Sequence, residues 1–168
     1  GNLIGAQAVL MGTVVDYREE PGSLRRSTKD GFESYRVEQV NKETGEKYHV
    51  TKYRPTRYIE HYQENKVYLT FSYRLVSLET GEVLVSKVVE RQTEDHAYYA
   101  SYEGNKDALV PSNKGIADVS DRARRELRGL LSASREIKPI ATLSGEAVRN
   151  ASSNVAATVQ QELNAKLP

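Results

Sequence analysis

Two copies of the tetrapeptide Glu-Thr-Gly-Glu, each between strand-like runs, are the strongest constraint on the fold of this 168-residue chain. They occupy residues 43–46 and 79–82. Because glycine adopts a positive φ without steric cost, each copy suits a type I turn with a following bulge, a common hairpin connection. Around the second copy, residues 67–75 alternate apolar or aromatic side chains with mostly polar ones, and residues 83–94 supply a partner strand. This alternation predicts an antiparallel hairpin with one buried face.

The other strand-like segments differ in how much burial their composition favours. Residues 8–17 form an apolar, β-branched run typical of a buried strand, in which Gly12 indicates close packing or a bulge. The first hairpin, over about 35–40 and 47–53, and the run 58–62 are polar on both faces. We therefore expect these segments to be edge or protruding strands.

Clusters of turn-forming residues predict loops elsewhere. Residues 21–23 and 29–31 are rich in such residues and bracket the pair Arg25-Arg26, so we expect an exposed loop there. Residues 104–107 and 111–115 also contain the Gly, Pro, Asn and Ser that interrupt regular structure.

After these loops the apolar residues recur at helical spacing and predict two helices. The first covers about 118–135, with Asp118 or Ser120 as N-cap, and the second covers about 144–166, with Ser144 as N-cap. Their apolar positions are Ile116, Val119, Ala123, Leu127, Leu130 and Leu131, then Leu143, Ala147, Ala151, Val155, Val159, Leu163 and Leu167. Strands followed by helices predict the α+β class: a mostly antiparallel sheet with long hairpins, covered on one face by two C-terminal helices.

Composition and missing motifs exclude several classes of function. The formal net charge is +1, without the basic excess of a nucleic-acid-binding protein. The absence of cysteine excludes disulfides and thiolate metal sites within these residues. No apolar run approaches the roughly 18–20 residues of a membrane-spanning helix. Since nucleotide-binding and hydrolase motifs are also absent, we expect a non-enzymatic domain without a cofactor.

The three histidines, His49, His61 and His96, lie in or beside predicted strands. His49 and His61 could meet as a metal pair, but no spacing marks the further ligands that zinc needs, so we expect exposed histidines and no metal site. An enzymatic alternative would need an acid–base pair such as Glu60 with His61.

Tyrosine dominates the aromatic residues, with eleven copies against two phenylalanines and no tryptophan. A tyrosine ring offers apolar contact area and its hydroxyl a hydrogen bond, which suits recognition of a protein or a glycan. Tyrosine also suits a half-exposed strand with no binding role. The candidate binding residues are Tyr48, Tyr53, Tyr58, Tyr62, Arg54 and Arg57.

Residues 122–128 carry four arginines, of which Arg124, Arg125 and Arg128 share one side of the predicted helix. This side could dock an anionic surface or a phosphate. The favoured interpretation is the solvated back of an amphipathic helix.

Two segments resemble the CsgG-like superfamily of bacterial envelope lipoproteins, which includes the curli-secretion channel subunit and the penicillin-binding-protein activator LpoB. Residues 5–14, Gly-Ala-Gln-Ala-Val-Leu-Met-Gly-Thr-Val, are similar to its strand gly-ala-asp-x-val-leu-x-gly-x-val. Residues 66–86 resemble its most recognisable hairpin: alternating apolar residues, Arg-Leu-Val, then Thr-Gly-Glu and a return strand.

The resemblance implies a single domain over residues 1–168. The family's domain opens with a strand and a helix before the Gly-Ala segment, whereas this sequence begins at that segment. We therefore expect either that this unit is missing or that the two C-terminal helices fill its space. It implies a periplasmic location, with an outer-membrane anchor through a lipidated segment upstream. A lipid-facing hairpin needs one continuous apolar face, whereas the first hairpin here carries charges on both faces, so we expect a soluble domain rather than a pore. The charges are Arg36, Glu38, Lys47, Lys52 and Arg54.

The expected function is therefore binding of an envelope protein partner in cell-surface assembly or wall synthesis. The alternative is a glycan- or peptidoglycan-binding module that uses the same tyrosines. The channel relatives suggest ring-like oligomers, but no apolar stripe is left over to support them once the core is filled.

Overall fold

The computed structural model describes residues 7–166 and has the predicted α+β architecture, a mostly antiparallel sheet followed by two α-helices. The strands are β1 (Ala8–Glu20), β2 (Arg25–Val40), β3 (Lys47–Ser77), β4 (Val83–Ser101), β5 (Leu109–Asn113) and β6 (Ile116–Ala117). A 3-10 turn covers Lys106–Ala108, and the helices are α1 (Asp121–Ser132) and α2 (Ile140–Lys166). No helix within residues 7–166 is long and apolar enough to cross a membrane.

The chain divides into two compact units. The first unit comprises Gly1–Gly22, Glu64–Asp95 and Lys138–Pro168, as far as these are described, and the second comprises Ser23–Gln63 and His96–Ile137. Because β3 and β4 are long, each contributes residues to both units.

Both predicted Glu-Thr-Gly-Glu hairpin turns are confirmed. Gly45 has a φ of 73° and Gly81 a φ of 72°, the left-handed conformation that favours glycine. The Gly45 amide donates to the Asn41 carbonyl at 2.8 Å, and the Gly81 amide donates to the Ser77 carbonyl at 3.0 Å. The first turn joins β2 to β3 and the second joins β3 to β4.

In the first unit, β1 pairs antiparallel with β3, from Ala8 opposite Ser77 to Glu20 opposite Lys66. The predicted alternation in 67–75 is confirmed, because its odd-numbered side chains face a core that α2 completes. The buried members of this core are Val67, Leu69, Tyr73, Leu75, Val85, Val89, Leu143, Ala147, Ala151 and Val155.

Strand β1 is present, but the prediction that it is buried was wrong. Val14 and Val15 are 56% and 60% exposed, because β1 pairs only with β3 among the described strands and lies at the edge of the sheet. The close packing expected at Gly12 is confirmed. A Cβ atom there would lie 2.2 Å from the Phe71 ring.

Helix α2 begins at Ile140, before the predicted start, so Ser144 is not its N-cap. Ser144 lies inside the helix, where its hydroxyl donates to the Ile140 carbonyl at 2.8 Å. The first turn is closed by the Pro139 carbonyl, which accepts from the amides of Thr142 and Leu143. The predicted apolar stripe lines the core as far as Leu163, and Leu167 lies outside the described residues.

In the second unit, β2 pairs antiparallel with β3 in an unbroken register, from Arg25 opposite Tyr62 to Val40 opposite Lys47. The loop predicted around Arg25-Arg26 and residues 29–31 is therefore a strand. Gly31 lies within β2 and not in a turn. A glycine suits this position because β5 approaches closely: a Cβ atom at Gly31 would be 3.0 Å from the Val110 carbonyl oxygen. Residues 25–30 are exposed, so their strand conformation is stabilised by backbone pairing with β3 rather than by burial of their side chains.

The loop predicted at 111–115 is also largely a strand. β5 pairs with β2 and with β6, and only Lys114 and Gly115 form the turn between β5 and β6. Both turn residues have positive φ.

Helix α1 confirms Ser120 as N-cap, since the Ser120 hydroxyl accepts from the Ala123 amide at 3.3 Å. Ile116 and Val119 lie before the helix and are exposed, so their assignment to its apolar face was wrong. Leu127 is buried and completes the core of this unit. The buried members are Tyr58, Ala100, Leu109 and Leu127.

Candidate functional site

The six candidate binding residues all lie on β3, but they do not share one face. Successive side chains of a strand point to opposite faces, and the pairing of β2 with β3 has no register shift. One face carries Tyr48, Arg54, Tyr58 and Tyr62, and the other carries Tyr53 and Arg57. A single tyrosine-rich recognition face is therefore not assembled.

Tyr58 is a core residue, only 6% exposed, and packs with Leu127 of α1. Burial is the main cause that raises the pKa of Tyr58 to about 12, with smaller contributions from Glu60 and Tyr98. Its side chain is therefore not available to a partner in the folded protein.

Tyr48 and Arg57 are exposed and make only local contacts. The Tyr48 hydroxyl donates to the Gln39 side-chain oxygen at 2.9 Å, directly across the hairpin. The Arg57 guanidinium lies 3.4 Å from the Asp30 carboxylate, and both side chains are about three-quarters exposed. Contacts of this kind are weak in water, so both residues remain free to meet a partner.

Arg54 belongs to a hydrogen-bonded network around Glu33, a buried carboxylate of β2. The Glu33 carboxylate accepts from the Arg54 guanidinium and from the Tyr102 hydroxyl. The same hydroxyl contacts the Thr56 hydroxyl at 3.2 Å. The hydrogen bonds from Tyr102 and Arg54 hold the pKa of Glu33 below its usual range. This network is structural, because its acceptor is already satisfied within the unit.

Tyr62 belongs to an aromatic cluster with His96 and Tyr98, at ring-centroid distances of 6.2 and 6.1 Å. The Arg25 guanidinium lies over the Tyr62 ring, 5.0 Å from its centroid. Tyr98 is 41% exposed. The cluster is therefore a partly exposed stacking surface.

His61 and Glu60 do not form the acid–base pair that an enzymatic alternative requires. They are neighbours on β3 and point to opposite faces. His61 is buried, contrary to the expectation of an exposed histidine: its ring stacks on Tyr99 at 4.5 Å, and its Nε2 contacts the Ser101 hydroxyl at 2.8 Å. The Glu60 carboxylate accepts from the Tyr98 hydroxyl at 3.0 Å.

Tyr53 lines a cavity of about 440 Å³ in the second unit. The cavity lies between β2, β3, the 3-10 turn and α1. Its charged lining residues are Arg36, Arg124, Arg128 and Asp107. Tyr53 and Tyr35 also line it, although the Tyr35 ring lies beside the Arg54 guanidinium. A volume of this size falls in the range of small-molecule binding sites.

Arg124 is the most constrained cation of this cavity. Its Nη2 lies 3.5 Å from the Tyr53 hydroxyl, at the limit of hydrogen-bond distance. Its Nε is buried and has no hydrogen-bond partner among the described residues. An arginine fork with an unused donor matches the two oxygens of a carboxylate or phosphate. Arg124 therefore brings to the cavity a cation with one unused donor.

The edge of β2 is open beside this cavity. β5 pairs with β2 only at Gly31, Phe32 and Glu33, and no other described strand pairs with residues 34–40 on that side. A strand edge of this kind presents unpaired backbone donors and acceptors.

The structure brings together residues that sequence reasoning did not combine. Tyr35 and Arg36 of β2 join Tyr53 and the arginines of α1, although Arg124 and Arg128 were expected on a solvated helix face. The helical spacing of these two arginines was a usable signal. No sequence signal marked the position of the helix over the hairpin.

Within residues 7–166, no group of three or more histidine or acidic residues could hold a metal ion. Comparisons of the chain with protein-family models, with curated proteins and with solved structures give no match. The resemblance of residues 5–14 and 66–86 to CsgG-like lipoproteins therefore stays a prediction, and residues 5 and 6 lie outside the described part.

Proposed function

We propose that this chain is a non-enzymatic domain of a bacterial envelope lipoprotein that binds a protein partner through the hairpin formed by β2 and β3. The resemblance of residues 5–14 and 66–86 to CsgG-like lipoproteins supports the periplasmic, outer-membrane-anchored setting. It also supports a role in surface assembly or wall synthesis.

The observation that carries the proposal is that residues 34–53 contribute no buried side chain to either hydrophobic core. Ordering a strand pair costs conformational entropy, which burial normally offsets. This segment instead displays aromatic and charged groups, with Tyr35 at 41% and Tyr48 at 47% exposure. Tyrosine and arginine are favoured at partner-binding surfaces, and the segment contains Tyr35, Tyr48, Tyr53 and Arg36.

The test shortens the hairpin. Residues 37–50 are replaced by Asn-Gly, so that Arg36 and Thr51, which are partners in the register, flank a two-residue turn. Wild-type and shortened chains are used as bait in cross-linking of envelope extract. We expect a specific cross-linked partner with wild type, its loss with the shortened chain, and similar thermal unfolding of both.

Equal cross-linking by both chains would overturn the assignment to this hairpin. A control is Val88→Ser on β4, an exposed apolar side chain that belongs to the first unit, whereas the hairpin belongs to the second. Absence of any partner with wild type would contradict the proposal as a whole.

The aromatic cluster of Tyr62, His96 and Tyr98 favours glycan binding as the second candidate. The apolar face of a sugar ring can pack on an exposed aromatic ring, as other apolar groups do. Titration of peptidoglycan fragments, followed by tyrosine fluorescence, tests it: a saturable change that Tyr62→Ala and Tyr98→Ala abolish would support this candidate over the first.

A further inference from the structure

We infer that the cavity beside β2 binds an acidic, extended segment of a partner protein, with a carboxylate seated against Arg124 and the segment's backbone paired to the free edge of β2. This inference rests on the proposed function and identifies the chemistry of the partner. Three independent features of the second unit support it.

The first feature is charge. Arg36, Arg124 and Arg128 line the cavity against one acidic residue, Asp107. None of the three arginines forms an ion pair with a described residue. In contrast, Arg122 on the same helix is paired with Glu126 at 2.9 Å. Unneutralised cations that converge on a concave site attract an anion and strengthen its binding.

The second feature is the unused donor of Arg124. A buried N–H group without an acceptor is unfavourable, because it has lost its water and gained nothing in exchange. The Tyr53 hydroxyl faces Nη2 and leaves Nε without a partner. A carboxylate of the segment would accept from a terminal nitrogen of Arg124. Turning the guanidinium towards the cavity would bring Nε to the same carboxylate, the bidentate geometry that arginine favours.

The third feature favours a peptide over a small anion such as phosphate. Pairing with β5 ends at Glu33, and β2 continues to Val40 with its outer edge unpaired among the described residues. An extended peptide can add to such an edge through main-chain hydrogen bonds, while alternate side chains enter a neighbouring pocket. Ser34, Tyr35 and Arg36 line the cavity and belong to this same edge strand. One segment can therefore occupy both the edge and the cavity.

The test uses fluorescein-labelled Val-Glu-Val-Glu-Val-Glu, in which alternate carboxylates share one face of a strand, and its Gln counterpart. Binding to the full chain is followed by fluorescence polarisation at low salt. We expect saturable binding of the Glu peptide that is about tenfold tighter than that of the Gln peptide. Equal binding of both peptides would overturn the inference.

Matched variants locate the site. We expect Arg124→Gln and Arg128→Gln each to weaken binding of the Glu peptide about tenfold, and Arg125→Gln to change it by less than about twofold, although all three remove the same charge from α1. Similar losses in all three variants would indicate attraction by general charge and would contradict a seated carboxylate.

Two further measurements distinguish binding of a peptide from binding of a free anion. Methylation of alternate peptide nitrogens should abolish binding, because it removes the main-chain donors. Inorganic phosphate at about 10 mM should leave most of the peptide bound if the edge contributes to affinity. Displacement by phosphate together with tolerance of the methylation would overturn the peptide inference in favour of a phosphate site.

Failure of this inference is distinguishable from failure of the proposed function. If the cross-linked envelope partner is lost on shortening the hairpin but retained by the Arg124→Gln, Arg128→Gln double variant, the cavity inference fails and the proposed function stands. Loss of the partner in the double variant but not in Arg125→Gln supports both.

Discussion

The Tyr102 hydroxyl donates a hydrogen bond to the carboxylate of Glu33, which also accepts from the Arg54 guanidinium. Tyr102 follows the end of β4, whereas Glu33 lies in β2, so this contact joins segments that are distant in the sequence. It anchors β2 next to the cavity, because Ser34, Tyr35 and Arg36, which line the cavity, follow Glu33 along the same strand.

Glu33→Gln should lower the midpoint of thermal unfolding and flatten its dependence on acidic pH. The folded pKa of Glu33 lies below its ordinary value of 4.5, so its contribution to stability is present above that value and is lost as pH falls through the folded pKa. Wild type should therefore lose more stability than the variant between about pH 5 and pH 3. Circular dichroism melts across this range measure the difference.

The control for Glu33 is Glu38→Gln, which removes an exposed carboxylate paired with Lys47 at 2.8 Å on the same hairpin. Exposed ion pairs contribute about 0–1 kcal/mol, so this variant should melt close to wild type at neutral pH. An equal loss in both variants would show that the network around Glu33 has no special role.

Leu143→Ala should destabilise the first unit by about 2–5 kcal/mol, the range for truncation of a buried leucine. Leu143 is fully buried in the core that α2 completes. Val148→Ala on the same helix, at a position that is 51% exposed, should change stability by less than about 0.5 kcal/mol. Urea unfolding gives both values, and similar losses in the two variants would contradict the packing described for α2.

Two glycines should respond to alanine in opposite directions. At Gly22 a Cβ atom would lie 1.9 Å from the Glu64 carbonyl oxygen, so Gly22→Ala must displace backbone and should cost at least about 1–3 kcal/mol. At Gly129 in α1 nothing lies within 4 Å, and Gly129→Ala should stabilise by about 0.5–1 kcal/mol. A stable Gly22→Ala protein would show that the strand connection is looser than described.

Local pattern was sufficient for the parts of the fold that depend on neighbours in sequence. The Gly45 and Gly81 turns, the alternation in 67–75 and the Ser120 cap each follow from a few adjacent residues, and all were predicted. The prediction that β1 is buried was wrong because its exposure depends on its place at the edge of the sheet. The composition of a single strand does not show where in a sheet that strand will lie. Gly31 was assigned to a turn for the same reason, since the approach of β5 is a tertiary contact.

The candidate site was predicted in its residue types but not in its assembly. Tyrosine and arginine on β3 were expected, yet strand alternation separates Tyr53 from Tyr48 and Tyr58. The cavity forms because α1 brings Arg124 to the Tyr53 hydroxyl, a contact between residues far apart in the chain. Helical periodicity groups Arg124 with Arg128 but cannot show which element the pair will face.

His61 should make the second unit less stable as the pH falls below about 6.5. Burial, with the nearby cations Arg26 and Arg135, lowers the folded pKa of His61 from its ordinary value of 6.5. Between the two pKa values the unfolded chain binds more protons than the folded chain, so stability is fully present above the unfolded pKa and is lost on acidification. His61→Phe retains a ring against Tyr99 and removes this titration, so its stability should vary less than that of wild type between pH 7.5 and 5.5. Ser101→Ala keeps the histidine and should retain the wild-type slope; identical slopes in wild type and His61→Phe would show that His61 titrates no differently on folding.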